Sequence, residues 1–184
     1  MNYFSDTVVR DTRHWLERAV IGLNLCPFAK AVDAKGQVHH VVSAATQAYE
    51  VLADLERELD ALLATDSAER ETTLLIIPGC LADFLEFNDL LARANRLLRR
   101  RHLEGVVQLA SFHPHYRFAD SDENDVANFT NRSPYPTLHL LREASIARAV
   151  AAIAQPQEIY EANIRTLREL GDDGWRELNV GPTL

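Results

Sequence analysis

Between Phe112 and Arg142 the chain carries three histidines, three arginines, an acidic run and three prolines, set between two apolar runs. His113, His115 and His139 offer acid–base chemistry; Arg117, Arg132 and Arg142 offer anion binding. Core packing asks for none of these side chains. Loops held by a rigid scaffold are where binding and catalysis concentrate. Far upstream, Cys26 directly precedes Pro27. If Pro27 opens a helix, Cys26 is its N-cap, where the dipole and free N–H groups favour a thiolate. A thiolate is a nucleophile, a redox thiol or a metal ligand. The alternative is a small, buried, inert cysteine. Cys80, in Pro-Gly-Cys-Leu, is read as structural.

Asn131-Arg132-Ser133-Pro134 and His139-Leu-Leu-Arg142 have the makings of an anion pocket. Arginine presents a bidentate fork to carboxylate or phosphate, and Asn and Ser add directed hydrogen bonds. On a strand, Arg142 points away from His139 and is then available for an ion pair between elements instead. Metal binding has weaker support. His113 and His115 project to one side of an extended chain, and His139 or Cys26 would complete an open zinc or iron site. No His-Glu-x-x-His and no Cys-x-x-Cys accompanies them, so no metal is expected. The acidic run from Asp120 fails the calcium-loop pattern, with Asp125 where glycine is needed and Asn131 where glutamate is needed. Glycine-rich phosphate loops and Gly-x-Ser-x-Gly are missing, and no cofactor is expected.

These residues need a scaffold, and the composition supplies one. The chain has 184 residues, 47% of them hydrophobic and 25% charged, enough for a core within a single domain spanning 1–184. A net charge of −8 argues against nucleic acid as a partner. The basic cluster from Arg96 to His102 is read as a solvated helix C-terminus. No apolar run approaches the ~18 residues of a membrane span, and the N-terminus lacks a signal-peptide pattern. A cytoplasmic protein with reduced Cys26 and Cys80 is expected.

The periodicity predicts helices over 5–23, 46–64 and 81–102, and a short one from Pro27 to Gly36. Strands are expected over 37–42, 72–77, 106–112 and 137–141. The run 72–77 is apolar at every position and should be buried on both faces. Segment 113–136 is irregular. Two further helices, 143–153 and 157–170, are separated by Gln155-Pro156, and Gly171 ends the second. In the tail 172–184, only Trp175 looks able to anchor. This order predicts an α/β or α+β fold with a mixed sheet of about four strands packed with helices.

Three segments also carry a resemblance: Asn24-Leu-Cys26-Pro-Phe28; Phe112-His113-Pro114 with Tyr116 and Phe118; and Asn131-Arg-Ser133-Pro-Tyr-Pro136 with His139-Leu-Leu-Arg142. They resemble a bacterial family catalogued as domain of unknown function 1415, over nearly the whole chain. The residues shared with its motifs are Cys26, His113, Tyr116, Asn131, Arg132, Ser133 and His139; His115 falls outside them. The resemblance implies a protein of this size and no particular activity. The expectation is an enzyme acting on a small anionic molecule, or a non-catalytic binder of one. Cys26, His113 and His139 would be the catalytic groups. Tyr116, Asn131, Arg132, Ser133 and Arg142 would hold the substrate. Cys26, His113 and Arg132 are expected in one pocket.

Overall fold

A computed structural model describes residues 3–151 and 158–183. Helix α1 (Tyr3–Trp15) runs without interruption into a π-helical stretch, Leu16–Ile21. There follow α2 (Ala29–Ala34), β1 (Val38–Val42), α3 (Ala48–Ala64), β2 (Thr72–Ile76), α4 (Phe84–Arg100) and β3 (Val107–Phe112). A 3₁₀ turn at Val126–Asn131 precedes β4 (Thr137–Arg142), α5 (Glu143–Ala151) and α6 (Glu158–Glu177). The expected separator Gln155-Pro156 lies outside the described residues.

The strands form one mixed sheet in the order β1-β2-β4-β3. β1 and β2 are parallel, joined by α3, while β4 runs antiparallel to both β2 and β3. All five residues of β2 are buried, as a central strand covered on both faces requires. Side chains alternate between the faces. Leu75, Leu138, Leu140 and Val107 join Leu55, Leu59, Phe87 and Leu90 of α3 and α4 in the largest core cluster. Burying each such side chain contributes about 2 kcal/mol. Leu74, Ile76, Thr72 and His139 point the other way, towards α1 and α2.

α3 and α4 both start at side-chain caps. Gln47 and Glu50 make a reciprocal capping box on α3, and Asp83 accepts from the N–H groups of Leu85 and Glu86 on α4. Arg99 and Arg100 in the last turn of α4 suit the helix dipole.

Several boundaries differ from expectation, among them the start of α4, at Phe84 rather than Leu81. α1 starts upstream, at Tyr3. α2 begins at Ala29 with Phe28 as its N-cap, so Cys26 is not a capping residue. The chain turns first, with the Ala29 N–H donating to the Cys26 carbonyl at 3.2 Å. Gly171 takes φ 66 and kinks α6 rather than ending it; the helix resumes to Glu177. That extension carries Trp175, which stacks on Phe129 at 4.7 Å. The tail is also held beyond it. Val180 is buried, and Thr183 donates through its N–H and hydroxyl to buried Asp11.

Candidate functional site

A cavity of about 370 Å³ opens between the sheet and the α1–α2 region, with α5 along one side. Its wall is mostly apolar, built from Trp15, Leu16, Val20, Phe28, Leu74 and Phe112. Among the few groups in that wall that can react are the Cys26 thiol and the His139 imidazole. Such a mixture, an apolar concavity with a few directed polar groups, is the usual character of a small-molecule site.

Several elements place Cys26. The π-helical stretch ends in two i→i−5 hydrogen bonds, Gly22 N–H to the Glu17 carbonyl and Leu25 N–H to the Val20 carbonyl, both 2.9 Å. A Cβ on Gly22 would lie 2.3 Å from the Arg18 carbonyl oxygen, so only glycine closes this turn. Asn24 then adopts φ 55 and redirects the chain. Leu25 is buried against Phe129 and Leu167, and its carbonyl accepts from Asn163 Nδ2 at 2.9 Å. Cys26, next in line, packs half-buried beside the cluster of Trp15, Leu16 and Val20. Both cysteines are free thiols.

His139 lies mid-strand on β4, opposite Leu74 of β2 and Ala110 of β3. The Thr72 hydroxyl donates to the Leu140 carbonyl at 2.7 Å and sits 2.6 Å from His139 Nε2. With its only proton committed, that hydroxyl must accept from Nε2–H, which fixes the tautomer and leaves Nδ1 unprotonated. Burial, with a smaller contribution from nearby His40, pushes the His139 pKa down to about 4. The imidazole is therefore neutral at pH 7, with Nδ1 unprotonated. Phe112 lies 6.0 Å from its ring and packs edge-on to Trp15 at 5.1 Å.

His40 belongs to the same sheet face, across Leu74 from His139. Both its ring nitrogens are buried and neither makes a well-formed hydrogen bond among the described residues, the Val38 backbone lying near but out of line. Burial pushes its pKa down to about 4 as well.

The structure separates the other expected site residues from this cavity. His113 follows Phe112 directly and so points to the opposite face, fully buried between Phe84 and Phe87 of α4. Its Nδ1 accepts from the His115 N–H and its Nε2 donates to the Leu81 carbonyl, both at 3.0 Å. Both nitrogens are thus occupied, and burial holds the pKa below the ordinary histidine range. Leu81 adopts φ 62, a costly left-handed conformation for leucine that the His113 bond helps to hold. Tyr116 packs against Phe84 and Phe118.

Asn131 Nδ2 donates to the Ser111 carbonyl, and its own carbonyl accepts from the His113 N–H. Ser133 donates to the Tyr135 carbonyl at 2.7 Å. Arg142 borders the cavity, but its guanidinium lies at the C-terminal end of α3, where Nη2 donates to the carbonyls of Leu62 and Thr65 at 2.6 and 2.7 Å. It serves the orphan carbonyls of that helix end. Arg132 and Ser133 line a second, smaller cleft beyond Trp15. Cys26, His113 and Arg132 are therefore not brought into one pocket. Cys26 and His139 are.

Among the described residues no three histidine, cysteine, aspartate or glutamate side chains gather as a metal site. His113 and His115 are close, at 5.9 Å between rings, but His139 faces the other side of the sheet. The acidic segment is organised internally: Asp122 and Asp125 cap local turns, and buried Asn128 binds Phe118 N–H, the Ser121 hydroxyl and the Asp122 carbonyl. No helix among the described residues is long and apolar enough to cross a membrane.

The sequence reading missed Thr72, Trp15, Asn163 and Asn128. Thr72 opens an otherwise aliphatic buried strand, and Asn163 shares the buried stripe of α6 with Leu167. A polar residue on an apolar face was the available signal in both cases. Trp15 gave none, since it reads as ordinary helix stripe. A family model described as protein of unknown function (DUF1415) matches residues 7–177, and the chain belongs to that family. No match was found among curated proteins or among solved structures.

Proposed function

We propose that this protein is an enzyme acting on a small molecule with a largely apolar body and a single carbonyl-type polar group, held in the cavity of Cys26 and His139. The observation that carries this reading is the joint opening of a free thiol and a neutral histidine into one mostly apolar cavity. Cys26 serves as nucleophile and His139 Nδ1 as proton acceptor, oriented by Thr72. The low dielectric of the wall strengthens any polar interaction made inside.

The anionic substrate expected from the sequence is not favoured in this cavity, because the Arg142 guanidinium is committed to backbone carbonyls. Two free thiols suit a reducing, cytoplasmic setting.

Competitive alkylation tests the reading. Cys26 should react with a neutral aromatic chloroacetamide faster than with charged iodoacetate, on the order of tenfold after correction for intrinsic reactivity, since the cavity favours the apolar reagent. His139→Gln should slow the reaction severalfold without lowering the melting temperature. Equal rates with both reagents, or no effect of His139→Gln, would remove the basis for the proposal. A substrate turned over equally well by Cys26→Ser would replace the enzyme reading with that of a binding protein.

A further inference from the structure

The cleft beyond Trp15 has a different chemistry from the cavity. It measures about 310 Å³, and its walls include Phe129, Arg132, Pro134, Trp175 and Pro182. Arg132 is half-buried, with its guanidinium 4.7 Å over the Phe129 ring, which in turn stacks on Trp175. Its Nε and Nη2 donate to the carbonyls of Tyr116 and Glu123, at 3.4 and 3.0 Å. These bonds use two of the five N–H donors of an arginine. Among the described residues Arg132 forms no ion pair, although seven other arginine–carboxylate pairs are present. Asp172, in the same cleft, and Glu123 act on it only at longer range. The other arginine of the cleft, Arg176, is exposed and paired with Asp173.

A half-buried guanidinium with unused donors and no carboxylate of its own is complementary to a bound anion. The walls add a requirement. Aromatic and proline surfaces on several sides suit a flat apolar ring better than a bare inorganic ion. We propose that this cleft is a second binding site, for a small aromatic carboxylate, with the carboxylate on the free donors of Arg132 and the ring against Trp175 and the prolines. The site is independent of Cys26. Trp15, which lines both openings, is the wall between them.

The experiment titrates the intact protein with phenylacetate, following tryptophan fluorescence and heat. Phenylacetamide is the uncharged control, and inorganic phosphate is the control for a bare anion. Phenylacetate should bind at least about tenfold more tightly than either control. Asp172→Asn should tighten phenylacetate binding about threefold by removing a competing carboxylate. Arg132→Gln should abolish it. Cys26→Ser should leave it unchanged, which separates this site from the cavity.

Equal binding of phenylacetate and phenylacetamide would overturn the proposal. So would phosphate binding as tightly as phenylacetate, or phenylacetate failing to bind at millimolar concentration. If Arg132→Gln does not fold, Asp172→Asn decides alone, and unchanged or weaker binding in that variant overturns the assignment.

Discussion

Segment 113–136 and the cavity face of the sheet use polar side chains in opposite ways. In the segment, polar groups are dense and most are committed; the buried Thr130 hydroxyl and the remaining donors of Arg132 are the exceptions. Both nitrogens of His113, the Nδ2 of Asn131, the hydroxyl of Ser133 and both ends of Asn128 are bound to neighbouring backbone or side chains. On the cavity face polar groups are sparse, and some are left open. His139 has a free Nδ1, Cys26 is an unpaired thiol, and His40 has two buried nitrogens without a well-formed hydrogen bond. The first region has spent its hydrogen bonds on holding an irregular path that no ladder supports. The second takes its rigidity from strands and helices and can leave polar groups available for chemistry. Polar density in a sequence thus marks a brace as readily as a site.

The largest expected effect comes from acid. The unfolded chain protonates histidine near pH 6.5, whereas folded His40 and His139 hold out to about pH 4. The unfolded state binds more protons across that window, so stability falls as pH drops from 6.5 to 4. Each histidine contributes up to about 3 kcal/mol to the fall. Urea unfolding at several pH values measures it. His40→Leu or His139→Gln should flatten the slope. An unchanged slope in both would mean that the open face does not hold its histidines neutral.

His113→Ala tests the braced region. It removes core volume between Phe84 and Phe87 and orphans the Leu81 carbonyl and the His115 N–H. A loss of about 3 kcal/mol in chemical denaturation is expected. The alkylation rate of Cys26 should remain that of the parent protein under native conditions. A near-neutral effect on stability with a large effect on Cys26 would reverse the roles given to the two regions.

A smaller effect is expected at Asp11, where the tail meets α1. Burial alone would raise its carboxyl pKa, but the hydrogen bonds from Thr183 and Tyr135 outweigh burial and hold it below the ordinary range. Tyr135→Phe removes one of these bonds and should cost about 2 kcal/mol at pH 7. Because the folded carboxyl pKa is lowered, that stabilisation is present above the unfolded value and lost as pH falls through the folded one. The cost of Tyr135→Phe should therefore shrink in strong acid. A cost that is constant with pH would show that Asp11 is not the partner that matters.

Much of the scaffold was legible in the sequence, because hydrophobic period and turn residues mark it locally. The apolar run of β2, the leucine stripe of α3 and the phenylalanine and leucine stripe of α4 each leave one arrangement that buries them. The π-helical stretch was not legible, since the close approach of Gly22 to the Arg18 carbonyl that accompanies it leaves no periodic signal. The start of α2 was misplaced for a related reason: Pro27 fits a helix start and a turn equally well, and the Ala29–Cys26 hydrogen bond chose the turn. For the candidate site, Cys26 and His139 stood out by residue type. Their separation from His113 did not, because it depends on one-residue alternation: Phe112 faces the cavity and His113 the other core. In the sequence Arg142 reads as a substrate group or as one half of an ion pair between elements; its partners are the carbonyls at the end of α3, and no local pattern announces a partner 77 residues away.

Imidazole nitrogen NMR on the two regions tests the central claim most directly. Long-range ¹H–¹⁵N correlations, assigned with His113→Gln and His139→Gln, report the tautomer and surroundings of each ring. Both His113 and His139 should be neutral Nε2–H tautomers at pH 7. On titration with a small apolar ester, the His139 Nδ1 signal should shift and saturate while the His113 signals stay fixed. A His113 signal that moves while that of His139 does not would contradict the account, and place the working site in the polar segment after all.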